Sequence, residues 1–66
     1  MTTRELLKKL PENVLWNIER LRKDYTTSTF HVAQVRAEIY GYVRGLTDAG
    51  LINENERRLL YCYATV

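Results

Sequence analysis

Apolar positions recur along this chain at helical rather than strand intervals. Leu6, Leu7 and Leu10 share one side of the first segment, with Lys8 and Lys9 turned away. Val14, Ile18, Leu21 and Tyr25 follow at steps of three and four, which stacks them on one helix face, with Leu15 and Arg22 at the flanks. Val32, Val35, Ile39, Val43 and Leu46 form a third stripe, flanked by Tyr42. A second seam of Phe30, Ala33, Ala37 and Tyr40 widens that apolar arc, as expected of a central helix that touches two neighbours. Leu59, Leu60, Cys62 and Tyr63 give the last segment its apolar side, while Arg57, Arg58 and Tyr61 point elsewhere. No strand alternation competes. The fold class is therefore all-α: one domain over 1–66, a small bundle of three to four helices with a long central helix at about 29–49.

The boundaries have their own signals. Thr2 and Glu5 stand three apart, as in a capping box, and predict a short helix from about Thr3 to Lys9. Pro11 suits the first turn of a second helix that ends near Asp24. The apolar period runs through Pro11, so a single kinked helix is the competing reading. In the connector Tyr25–Thr29, Thr27, Ser28 or Thr29 is expected to cap the third helix. Gly50 is expected in the left-handed conformation that stops it. Asn53, with Glu56 three residues later, repeats the capping-box spacing for the fourth.

One pattern cuts across this scheme. Ala33, Ala37, Gly41, Gly45 and Ala49 recur every fourth residue and make a ridge without side-chain bulk. Each interior glycine costs a helix about 1 kcal/mol relative to alanine, so keeping two implies a close approach. The first expectation is packing against another helix of this chain. The sharper one is a face for self-association or partner docking; the resemblance to membrane G-x-x-x-G pairs is geometric only.

Composition narrows the function classes. A chain of 66 residues is marginal as a lone core and invites oligomerisation or partner binding. Cys62 is the only cysteine, so no internal disulfide forms. His31 is the only histidine, and no spacing suits zinc. Ten basic and eight acidic residues leave a net charge of +2, too mild to announce nucleic acid or membrane. No basic start leads into an apolar stretch like a signal peptide, and the longest apolar run, Leu59 to Ala64, is too short to span a bilayer. A reduced cytoplasmic setting is the expectation.

No cluster declares a reaction. Cys62 sits among apolar neighbours where a thiol usually acts as a small core side chain, and nothing brings His31 to it. Glu38 and Glu56 are solitary, and no paired acid–base arrangement or glycine-rich phosphate loop is present. The expectation is a non-enzymatic protein without cofactor or metal. Glu5 with Lys9, Glu19 with Lys23 and Glu54 with Arg58 are (i, i+4) pairs in the favourable order and suggest solvated faces.

Aromatic residues supply the remaining candidates. Tyrosine and tryptophan contribute contact area at low entropic cost. Trp16 falls nearly opposite the stripe of its helix; cover by a neighbouring helix is the first expectation, an interface role the second. Tyr61, beside Arg57 and Arg58, is expected to be exposed. The preferred reading is thus a module that binds a protein partner, or pairs as a homodimer, through Trp16, Gly41, Gly45, Arg57, Arg58 and Tyr61. The alternative is a nucleic-acid-binding regulator of helix-turn-helix type, using Arg20, Lys23, His31 and Gln34. Glu38 on the same face opposes it, as does a connector without glycine.

The segment Gly45-Leu46-Thr47-Asp48-Ala49-Gly50-Leu51-Ile52-Asn53, followed by Glu54-Asn55-Glu56-Arg57, resembles a helix–Gly–helix corner common in short helical reading frames of phages and mobile elements. That resemblance implies a regulator or inhibitor that binds a host or defence protein.

Overall fold

The structure, a computed structural model, describes all residues 1–66. It is all-helical: α1 (Thr3–Lys9), α2 (Glu12–Thr27), α3 (Val32–Asp48) and α4 (Glu54–Ala64). Helix α1 opens on the expected capping box. The Glu5 backbone N–H donates to Thr2 Oγ1 and the Thr2 N–H donates to Glu5 Oε1, each at 3.2 Å. Leu10 is extended (φ −73°, ψ 144°), the conformation a following proline demands. Pro11 then stands just ahead of α2, and its carbonyl accepts the first bond of that helix, from Leu15 N at 3.0 Å. Pro11 therefore separates two helices instead of kinking one.

Helix α2 continues three residues past the expected end at Asp24. Thr26 and Thr27 remain helical, and their hydroxyls donate back to the Arg22 and Lys23 carbonyls, both at 2.9 Å. This shortens the connector and moves the start of α3 from 29 to Val32. None of Thr27, Ser28 and Thr29 caps α3; His31 occupies that position without a side-chain cap bond. Ser28 instead braces the turn, its Oγ accepting from the His31 N–H at 3.1 Å.

Helix α3 ends as expected. Gly50 has φ +79°, the Leu51 N–H donates to Leu46 O and the Gly50 N–H to Thr47 O, each at 3.0 Å. This is a Schellman stop, which needs a residue at ease with positive φ. Asn53 caps α4: Glu56 N donates to Asn53 Oδ1 at 2.9 Å and Asn53 N to Glu56 Oε1 at 2.8 Å. Replacing Asn53 with alanine is expected to cost about 1 kcal/mol, read as a melting temperature lower by roughly 4–8 °C.

Helices α2, α3 and α4 pack mutually, and α1 rests chiefly on α4. The main core joins Leu6, Leu10, Val14, Ile18, Val43, Leu46, Ile52 and Leu60. A smaller cluster of Leu21, Ile39 and Ala64 closes the other end. The inward line of α4 is Glu56, Leu60 and Ala64; of the expected apolar side, Leu60 is buried and Leu59 and Tyr63 flank it half-buried against the core. That register turns Cys62 out to solvent, against the expectation of a core thiol. Phe30 is corrected too. It lies in the connector before α3 and is 92% exposed, so it takes no part in a seam.

Candidate protein-contact surfaces

The core register of α3 decides where its small residues go. Ile39, Val43 and Leu46 turn inward, which places Ala33, Ala37, Gly41 and Gly45 on the solvent side. Packing within the chain, the first expectation for this ridge, is overturned. A Cβ added at Gly41 or Gly45 meets nothing within 4 Å. The ridge is an open helix face, bordered by exposed Gln34, Glu38 and Arg44.

Trp16 is likewise uncovered. It is 65% exposed, opposite Val14, Ile18 and Leu21 on α2. The Arg20 guanidinium lies 5.8 Å from its ring centroid and pairs with Asp24 at 3.5 Å. Beside the indole, Glu12, Asn13 and Asn17 border a shallow depression.

Tyr61 departs from its expected place. It is half-buried and packs against both core clusters. Its ring meets the edge of Tyr40 at 6.1 Å and 87°, and Arg57 lies over Tyr40 at 5.8 Å. Arg57 is held by two bonds of 3.1 Å from its Nε to the Glu54 carboxylate. Arg57 and Tyr61 therefore belong to the α3–α4 seam, where they fasten the fold. Arg58 alone of that trio stands free of the seam, with its Nε 3.9 Å from Glu54. The structure thus divides the six candidates. Gly41 and Gly45 share one face, Trp16 is on another helix, Arg58 on a third, and Arg57 with Tyr61 are used internally.

The remaining tyrosines are also tied down. Tyr42 accepts from Asn17 Nδ2 at 3.2 Å, Tyr25 from Arg36 at 3.4 Å and Tyr40 from Arg44 at 3.3 Å. Tyr63 accepts from Arg22 at 3.5 Å and donates to Glu19 at 2.5 Å, with Arg22 stacked 4.4 Å above its ring. The bond to Glu19, with burial second, holds the Tyr63 phenol above its usual pKa. Glu19 is thereby spent on α4, not on Lys23 as the sequence spacing suggested.

Lys9 makes a similar exchange. It reaches across to Glu56 on α4 instead of Glu5 in its own helix. Glu56, solitary in the sequence, is only 5% exposed; it closes the capping box and anchors α1 to α4. The Lys9 ammonium, then the Asn53 backbone N–H, hold its carboxyl below the usual carboxylate range. A depressed folded-state pKa stabilises the fold above the unfolded value and loses that stabilisation as pH falls through the folded one. Stability is therefore expected to drop as pH falls through and below the usual carboxylate range, and Glu56→Gln to flatten that part of the acid titration. Circular dichroism against pH measures both.

The four nucleic-acid candidates sit around the α2–α3 connector. Lys23, His31 and Gln34 are exposed, but Arg20 is held by Asp24 and Glu38 is exposed on the same stretch of α3. No helix is long and apolar enough to cross a membrane. The chain matches no protein-family model, no curated protein and no solved structure.

Proposed function

We propose that this chain is a non-enzymatic helical module that works by binding another protein, with the outward face of α3 as its main contact surface. The supporting observation is the emptiness around Gly41 and Gly45. Inside the chain nothing requires either residue to lack a side chain, yet each weakens the helix by about 1 kcal/mol relative to alanine. Close approach by a helix from outside the chain gives that bareness a use. Exposed Trp16 and Arg58 provide separate contacts of the type that anchor interfaces. The Gly45–Arg57 corner extends the proposal to a regulator or inhibitor acting on a host or defence protein. A nucleic-acid role draws on fewer free cations, since Arg20 is paired and Glu38 repels phosphate.

The test is sedimentation and affinity capture with the native chain and with Gly41→Gln/Gly45→Gln. Glutamine is a good helix former, so the variant should stay folded while its bulk blocks the ridge. The native chain is expected to self-associate or to retain a defined protein, and the variant to lose that contact by about tenfold or more. A native chain that stays monomeric and retains nothing, or a variant that binds equally well, rejects the proposal.

A further inference from the structure

A second surface lies where Pro11 breaks the chain. Because Leu10 is extended and α1 turns onto α4, α1 does not run alongside α2. The break leaves an open groove of about 480 Å³. Leu7 of α1, Leu15 of α2 and Tyr63 of α4 line its floor, each only partly buried. Arg4 and Lys8 stand on the α1 wall.

These two cations have no acidic partner, a state they share with Arg22, Lys23, Arg36 and Arg44 elsewhere on the chain. Lys9 is engaged by Glu56, Arg20 by Asp24, and Arg57 and Arg58 by Glu54. None of the ion pairs in the fold uses Arg4 or Lys8, and both side chains are exposed. Four residues apart on a helix, they stand one above the other, about 6 Å apart along the axis.

We infer that this groove receives an amphipathic helix of a different protein, with apolar side chains on Leu7, Leu15 and Tyr63 and two carboxylates, one turn apart, on Arg4 and Lys8. Acidic residues four apart on a helix have the same rise as the two cations, so both pairs close together. An apolar face laid in a groove supplies the contact area, and the charges fix its register. A second copy of this chain does not fit the requirement. Its acidic residues are Glu5, Glu12, Glu19, Asp24, Glu38, Asp48, Glu54 and Glu56, and no two of them are three or four apart. The inference rests on the protein-binding reading but uses a surface separate from the α3 ridge.

The test selects helical peptides from a displayed library, with all outward positions randomised, on the full chain. Binders are expected to carry glutamate or aspartate pairs four apart beside leucine-like residues. A synthetic binder should weaken at least tenfold when its paired acids become glutamine. Arg4→Glu/Lys8→Glu should lose the same binder, with circular dichroism checking the fold, while Gly41→Gln/Gly45→Gln should retain it. Amide shifts in a titration should centre on residues 3–8, Leu15 and Tyr63. Binders without acidic pairs, or indifferent to the charge reversal, overturn the groove. If binders are lost only with the glycine variant, the α3 reading stands and this one falls. If no peptide is selected, the groove inference fails, and sedimentation of the native chain decides the α3 reading separately. Displacement of groove signals by dodecanoate without peptide binders assigns the groove to a fatty anion and overturns the inference.

Discussion

Leu60→Ala is expected to unfold much of the protein at physiological temperature. Leu60 is fully buried in the main cluster, with Leu6, Ile18 and Val43 for company. It lies on the inward line of α4, the helix that every other helix touches. Truncating a buried leucine costs about 2–5 kcal/mol, the lost transfer energy plus the cavity left behind. A domain of this length holds only about 3–10 kcal/mol in total, at typical values per residue. The loss should appear as a melting temperature lower by more than about 10 °C, with an urea midpoint shifted at constant slope. Leu59→Ala makes the comparison, since Leu59 is only partly buried against the same cluster and should cost visibly less. Equal effects at both positions would mean that α4 is not rotated as described.

The second large effect has the opposite sign. Gly41→Ala with Gly45→Ala is expected to stabilise the isolated chain by about 2 kcal/mol, raising its melting temperature by roughly 8–16 °C. Both glycines are inside α3, neither has positive φ, and an added methyl meets nothing. The gain comes mainly from the unfolded chain, which loses conformational freedom when glycine is replaced. Gly50 is the control. Its φ of +79° suits glycine, so Gly50→Ala should destabilise instead. A neutral or harmful effect of the Gly41/Gly45 pair would show that the α3 face is covered in the isolated protein. Stabilisation with loss of partner contact in the glutamine variant would show that bareness serves association at the expense of the fold.

These expectations separate two kinds of information. The start of α1, the start of α4 and the stop of α3 were legible because each is written in a few adjacent residues: Thr2 with Glu5, Asn53 with Glu56, and Gly50. The all-helical class was legible from period alone. The end of α2 was not, because the β-branched and capping residues from Thr26 to Thr29 read as connector, although Thr26 and Thr27 are helical. Nor was the facing of α4, since Glu56 looks like a surface residue until Lys9 from another helix neutralises it. Cys62 and Tyr61 change places for that one reason: the thiol turns to solvent and the tyrosine turns to the core.

The candidate surfaces divide in the same way. The every-fourth-residue ridge of α3 is a property of the sequence, but whether it faces the core or water depends on which neighbouring stripe is buried. The groove beneath Arg4 and Lys8 had no sequence signal at all. Its floor comes from three helices, and its unpaired cations stand out only once Lys9 is seen to be taken. By itself the sequence determined which segments coil and where they stop, because capping and left-handed turns are decided within a few residues. Tertiary structure alone decided which side of each helix meets water and which charges find partners, because those depend on side chains brought together from distant parts of the chain.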